Sequence, residues 1–428
     1  MGKYLVPLFG LAALSLVSFY SYRAFVQEPI EFPLVETAEA VTEDRLPTEP
    51  EDWQGTINYR DLDQRIAALF VRPEMAGLAV AIVEDGELRY IRSFGVTDKR
   101  SGESVTLQTV FRWASVSKGV AGTLAAKLSE EGQIDLNQTL NQWQTSLKLP
   151  GDAMARITVA QLMSHQTGLT KNAFDRKLED GEFPGLLRAR LGTAPLQCSP
   201  GTCHSYQNIA FDTAGEILGQ ATNSIYGDAV QKQLFEPLGM DSARFGMTGL
   251  TGAESWARPH RGDKVRILSE SYWLLPAAAG VNSNIVDMAR WLRAQMSANE
   301  DVLSGETLAL AHAPLVSTGR VYGGDLARSL SEPSYGLGWR SFTYRGRRLI
   351  GHSGAVDGYR ATIIFDPAAR TGVAAMWNSG WGIPFGIPFA ALDSYYGEPA
   401  DKDNLTDWLD LSDVPPPKLQ KPSPRDLP

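Results

Sequence analysis

Phe111-Arg112-Trp113-Ala114-Ser115-Val116-Ser117-Lys118 decides how this chain is read. Behind it Gly119, Val120, Leu124, Ala125 and Leu128 recur at helical spacing, which predicts a helix that Gly132 ends. One turn of that helix puts Ser115 and Lys118 on the same face. A serine hydroxyl is a weak nucleophile until a neighbouring base takes its proton, and a desolvated lysine can serve as that base. The helix N-terminus adds backbone N–H groups for developing negative charge. Lys118 is the only lysine in the chain with a serine three positions before it. The pair alone recurs by chance in long chains, and a lone lysine is ordinarily a solvated surface group, so its weight depends on other residues.

The 428 residues, 43% of them hydrophobic, are enough to bury a large core. A formal net charge of −9, with no basic run and no phosphate-cradling glycine loop, argues against nucleic-acid binding. After Lys3 the chain carries no charge from Tyr4 to Tyr22, roughly the 20 residues that cross a bilayer. The run ends in Phe19-Tyr20-Ser21-Tyr22-Arg23 without an Ala-x-Ala cleavage pattern. Residues 1–23 are therefore expected to be an uncleaved membrane anchor, with a cleaved signal peptide as the alternative. That places the protein in the periplasm or another extracytoplasmic space, held to the inner membrane. Residues 24–53, acidic and punctuated by proline, read as a linker, residues 54–398 as the folded domain, and residues 399–428 as an extended Pro-rich tail. The only two cysteines, Cys198 and Cys203, flank Pro200-Gly201, a turn that can fold one back on the other. In an oxidising compartment they are expected to form a disulfide. A metal site borrowing His204 would have three ligands and no fourth in view, so no metal and no cofactor is expected.

Within the domain, Ile57, Leu62, Ile66 and Leu69 predict a first amphipathic helix. Leu78 to Val83 and Leu88 to Phe94, joined by Glu84-Asp85-Gly86-Glu87, predict a β-hairpin. Helices follow: one capped by Thr158 and Gln161, others over Ile209 to Leu218 and Tyr226 to Phe235, and one capped near Ser283-Asn284. Strands return at Tyr335 to Thr343, Arg348 to Gly351, Tyr359 to Phe365 and Gly372 to Trp377. Strands at both ends with helices between them predict an α+β fold: an antiparallel sheet flanked by helices, with an inserted helical subdomain. The site is expected in the cleft between the two lobes.

Two further stretches give the serine–lysine pair its context. Tyr206-Gln207-Asn208 opens a helix and is the only Tyr-x-Asn in the chain, and His352-Ser353-Gly354-Ala355 lies near the end of a strand. In that order, Ser-x-x-Lys, Tyr-x-Asn and His-Ser-Gly resemble the motifs of the class C β-lactamase and penicillin-binding serine hydrolase superfamily. Thr158 to Leu169, Pro237-Leu-Gly-Met240 and Ala277-Ala-Ala-Gly280 extend the resemblance over about Gln54 to Glu398.

The resemblance implies that Ser115 is acylated, that Lys118 takes or relays its proton, and that Tyr206 protonates the leaving group and later activates water. It implies that Asn208 meets a substrate side-chain amide, that His352, Ser353 and Gly354 line the substrate site, and that the N–H groups of Ser115 and Ala355 form an oxyanion hole. Many β-lactamases of this class carry lysine where this chain has His352, which is only partly charged at neutral pH. The expected activity is hydrolysis of β-lactam or D-alanyl peptide amides through an acyl-serine. The alternatives are a carboxylesterase of the family VIII type and a slowly deacylating penicillin-binding sensor. Gly351-His352-Ser353-Gly354-Ala355 nearly matches a nucleophile elbow, but that turn needs a strand running into a helix, and here another strand follows. The five histidines are scattered without a His-x-x-x-His pair.

Overall fold

In this computed structural model, which describes residues 46–297, 301–397 and 408–411, the two ends of the domain meet in one sheet. Its strands are β1 (Gly77–Glu84), β2 (Glu87–Gly95), β3 (Val316–Ser317), β4 (Leu330–Tyr335), β5 (Arg340–Tyr344), β6 (Arg347–Val356), β7 (Tyr359–Asp366) and β8 (Thr371–Trp377). Their order is β2-β1-β8-β7-β6-β5-β4-β3, antiparallel throughout. β1 lies beside β8 with Leu78 opposite Trp377 and Ile82 opposite Val373, so the first hairpin and the last are continuous.

β1 is buried along its whole length because both faces of the sheet are covered. Leu78, Val80 and Ile82 face α1 (Tyr59–Ala68) and α7 (Ile387–Tyr396), where Leu62, Ile66, Ile387 and Ala391 complete one core. Ala79, Ala81 and Val83 face the larger core with α2 (Ser117–Glu130) and α6 (Ile285–Ala294). The period of two along one strand thus serves two layers of helices. The helical lobe inserted between β2 and β3 includes α3 (Val159–Met163), α4 (Asn208–Phe211) and α5 (Thr213–Ala221). Thr158 and Gln161 cap α3 reciprocally, and the Asn284 side chain caps α6 by accepting from the Asp287 N–H at 2.9 Å, as their spacing predicts.

Two expectations change. The strand read as Tyr335 to Thr343 is broken into β4 and β5 at Gly336–Trp339, because the chain turns there against the backbone of α2. Gly338 has φ +73°, and a Cβ on it would stand 2.1 Å from the Lys118 carbonyl oxygen. The domain is also wider than residues 54–398. Pro47 accepts hydrogen bonds from the Ile91 N–H and Trp53 Nε1, so the end of the expected linker packs on the sheet edge. From the expected tail, Leu409 is fully buried and Trp408 Nε1 donates to Asp393 at 2.9 Å. The expected anchor lies outside the described residues; among those described, no helix is long and apolar enough to cross a membrane.

Candidate active site

Ser115, the candidate nucleophile, sits just after a strained corner. Phe111–Arg112 pairs with Val281–Ser283 in a small sheet, and the indole of buried Trp113 donates to Ser283 Oγ at 2.9 Å. The chain then turns through Ala114, whose φ of +48° is left-handed, a conformation that costs an alanine about 1–2 kcal/mol. Ser115 follows in a single 3₁₀ turn, Ala114–Val116, that leads into α2. Ser117 braces the corner, donating to the Ala114 carbonyl at 2.7 Å and accepting from the Val281 N–H at 3.1 Å.

Lys118 is fully buried one turn on, with Nζ 3.4 Å from Ser115 Oγ. Its other two N–H bonds go to Asn208 Oδ1 at 2.7 Å and the Ala278 carbonyl at 3.0 Å. With those two directions fixed, the remaining position on the nitrogen is directed at the serine hydroxyl, where a proton can be exchanged. The same nitrogen lies 4.9 Å from the centre of the Tyr206 ring. Asn208 Nδ2 donates to Asp175 at 2.7 Å. The Asn208 oxygen and one of its two N–H donors are thus engaged within the protein, and the side chain also lines the cleft, where the sequence reading placed it against a substrate amide.

β6 forms the opposite wall and comes edge to edge with the nucleophile turn. A Cβ on Gly354 would stand 2.1 Å from the Trp113 carbonyl oxygen and 3.1 Å from the Ser115 nitrogen. This contact brings Ala355 beside Ser115, where their two N–H groups can receive one oxyanion. β6 runs on past Gly351, its last residue paired with β5, so His352–Val356 has no strand partner on that edge. Ser353 lines the cleft, its hydroxyl held by Tyr322 at 2.8 Å and Thr362 at 3.2 Å.

His352 requires a correction. It was expected to line the substrate site, but it lies behind the wall, 1% exposed. Its Nε2 is 2.9 Å from the Tyr335 hydroxyl and its Nδ1 2.9 Å from the Ser353 carbonyl, so neither ring nitrogen faces the cleft. Burial, then the positive charges of Arg340 and Lys118, hold its pKa well below the ordinary imidazole value, so the ring is neutral at pH 7. Three of the five histidines scattered in the sequence converge here. His165 packs 4.3 Å from Tyr206, and His204 and His352 lie 5.3 and 5.7 Å from Tyr335, between rings rather than around a common point. Among the described residues no three His, Cys, Asp or Glu side chains are grouped to hold a metal ion.

Sequence reasoning missed Asp175, Tyr335 and Arg340. Arg340 ends the paired part of β5, with its guanidinium 5.6 Å from the Tyr206 ring centre and 5.1 Å from that of Tyr335. It lines the cleft with no acidic partner among the described residues. No local pattern marks an arginine after a tryptophan, and none marks Asp175 at the start of a five-residue helix, Asp175–Glu179. The cleft itself holds about 590 Å³ and is lined by Ser115, Tyr206, Asn208, Arg340, Ser353 and Ala355 among others. Cys198 and Cys203 are joined, Cα to Cα 6.3 Å, in the loop that leads directly into His204 and Tyr206.

A serine on a strained corner, a buried lysine aimed at it and a tyrosine lining the same cleft are the arrangement of a serine hydrolase. The family model described as Beta-lactamase matches residues 62–386, and the chain belongs to that family. It is 26% identical over 352 residues to penicillin-binding protein 4 of Amycolatopsis lactamdurans, covering 77% of this chain and 87% of that one. An unguisins hydrolase of Aspergillus violaceofuscus is 25% identical over 372 residues, 78% of this chain. The chain spans 64% of the length of that relative and 61% of a second from Aspergillus campestris. In fold it resembles an octameric penicillin-binding protein homologue from Pyrococcus abyssi, with a TM-score of 0.71 at 23% identity over 81% of this chain and 79% of that one. A class C β-lactamase aligns with a TM-score of 0.64 at 22% identity, over 78% of this chain and 95% of that one.

Proposed function

We propose that this protein hydrolyses amide bonds next to a carboxylate, in D-alanyl peptides or β-lactams, through an acyl-enzyme on Ser115. The observation that carries the substrate class is Arg340. With His352 neutral and turned away and Lys118 engaged by Ser115, Asn208 and the Ala278 carbonyl, Arg340 is a second cation beside Tyr206, with no acidic partner among the described residues, and a carboxylate on the leaving group fits it. Simple esters have no use for that charge. The name of the Amycolatopsis relative, a penicillin-binding protein, agrees with this class.

Ser115 Oγ attacks the carbonyl carbon as its proton passes to Lys118 Nζ, and the carbonyl oxygen becomes an oxyanion between the N–H groups of Ser115 and Ala355. Tyr206 gives its phenolic proton to the leaving nitrogen as the C–N bond breaks. A water that loses its proton to Tyr206 then attacks the acyl carbon, and as the acyl C–O bond breaks Ser115 Oγ takes its proton back from Lys118 Nζ. The substrate backbone pairs along the open edge of His352–Val356. The uncharged run from Tyr4 to Tyr22 and the disulfide support export to an oxidising compartment with the N-terminus as anchor.

The test is the rate on a chromogenic cephalosporin, a D-alanyl-D-alanine peptide and a short-chain nitrophenyl ester, with Ser115→Ala as blank. Faster turnover of either carboxylate-bearing amide supports the proposal. Fast turnover of the ester alone makes the protein a carboxylesterase, and acylation without turnover makes it a sensor.

A further inference from the structure

We propose that Asp175 is a positioning residue that acts through Asn208 to aim Lys118 at Ser115. A primary amide has two ends of similar shape and opposite polarity, and nothing in its own bonding decides which way it faces. Here the decision comes from opposite charges on its two sides. Asp175 Oδ2 accepts from Asn208 Nδ2 at 2.7 Å, and Lys118 Nζ donates to Asn208 Oδ1 at 2.7 Å. Turning the amide over would set an acceptor against the carboxylate and two donors against the amine. Without Asp175 only one side of that choice is enforced.

Asp175 is itself firmly placed. It is 7% exposed, and the Tyr272 hydroxyl donates at 3.3 Å to the same oxygen, Oδ2, that accepts from Asn208. The loop before it is tied to the Tyr206–Asn208 segment: the Asn172 N–H donates to the Tyr206 carbonyl at 2.9 Å and the Ala173 N–H to Gln207 Oε1 at 3.1 Å. Asn172 and Phe174 hold φ of +53° and +64°, left-handed values that this loop accepts in order to present Asp175. No lysine or arginine pairs with Asp175 among the described residues, and its other oxygen has no hydrogen-bond partner. A carboxylate buried without an ion pair is costly, and Asn208 is its shortest contact. Burial raises its pKa above the ordinary carboxylate value, against the lowering effects of Asn208, Lys118 and Tyr272, with Glu179 adding to the rise. Its charge is therefore lost at a higher pH than that of an exposed aspartate.

The inference rests on the acyl-serine reading, and one control separates the two. If wild type and Ser115→Ala turn over the chosen substrate equally, the reading fails before Asp175 is considered. Given a Ser115-dependent rate, Asp175→Ala is expected to lower kcat by about ten- to a hundredfold, the range for a hydrogen bond to a charged group, with little change in KM. In an Asn208→Ala background the same substitution is expected to change kcat by less than about twofold, because its route to Lys118 is gone. Asp175→Asn keeps the shape without the charge and covers the case in which the alanine variant does not fold. The ratio of wild-type to Asp175→Asn kcat is expected to be large at pH 7 and to shrink toward one in acid, as the wild-type carboxylate takes up its proton. Of the groups facing Asp175, which are Lys118, Tyr272 and Glu179, only Glu179 is a second carboxyl, and a Glu179→Gln background removes its titration from the comparison. A pH-independent ratio, or full additivity of Asp175→Ala with Asn208→Ala, would overturn the proposal, since a merely structural aspartate gives both.

Discussion

Gly354→Ala puts one carbon at the closest approach in the site. The new Cβ would stand 2.1 Å from the Trp113 carbonyl oxygen, where ordinary contact begins near 3.4 Å, and the neighbours at 3.1 Å are the Ala114 Cβ and the Ser115 nitrogen. Two of those three atoms are backbone, so no rotamer change relieves the clash. β6 and the nucleophile turn must separate by about 1 Å, with a stability cost of roughly 1–3 kcal/mol for overpacking. The separation opens the gap between the two N–H groups proposed to receive the oxyanion. Losing one such donor costs about a hundred- to a thousandfold in kcat, and a displacement of this size from a reacting centre has effects of similar order. The assay is kcat and KM on the preferred substrate beside a thermal melt. Gly305→Ala, where a Cβ meets nothing within 4 Å, is the control for loss of a glycine as such. A Gly354→Ala variant with wild-type kcat would refute the placement of the oxyanion hole between Ser115 and Ala355.

Other substitutions separate the remaining parts of the account. Lys118→Ala and Tyr206→Phe are each expected to lower kcat by about a hundred- to ten-thousandfold in the assay that blanks with Ser115→Ala. Arg340→Gln should raise KM about tenfold for carboxylate-bearing substrates and leave a neutral ester unchanged; equal shifts for both would remove its assigned role. Replacing Cys198 and Cys203 together by serine should cost about 2 kcal/mol by the loop-entropy account and lower kcat, because Tyr206 follows directly from that loop. Unchanged melting and rate would detach the bridge from the site. His312, packed edge-on against Trp339 and Phe365, has its pKa lowered to about 3 by burial and, secondarily, by Arg348. Its stabilising contribution is full above the unfolded value of 6.5 and is lost as pH falls from there toward 3. His312→Gln should therefore flatten the fall of unfolding free energy over that range by up to about 1.4 kcal/mol per pH unit, read by denaturant titration.

The fold was legible where periodicity carries it. Leu78, Val80 and Ile82 against Ala79, Ala81 and Val83 mark β1 as two-faced, and the caps at Thr158 and Asn284 are local chemistry. The break at Gly336–Trp339 was not legible, because its cause is the Lys118 carbonyl, more than 200 residues away in sequence. The site divides the same way. Ser115, Lys118, Tyr206 and Asn208 sit in short motifs, and the fold brings them together. The orientation of His352 depends on Tyr335, a tertiary partner, and its burial overrides the motif's suggestion of a cleft-facing side chain. Arg340 and Asp175 belong to no motif; their meaning comes from what surrounds them, the aromatic rings of Tyr206 and Tyr335 in one case and an oriented amide in the other.

The central claim is that Ser115 carries the acyl group. The direct measurement is mass spectrometry of the protein quenched during turnover of its preferred substrate, followed by peptide mapping. The account predicts one added acyl group on the peptide containing Ser115, absent from Ser115→Ala and accumulating when Tyr206 is replaced by phenylalanine. A protein that turns over its substrate with no adduct on that peptide, or with the adduct on another residue, would contradict it.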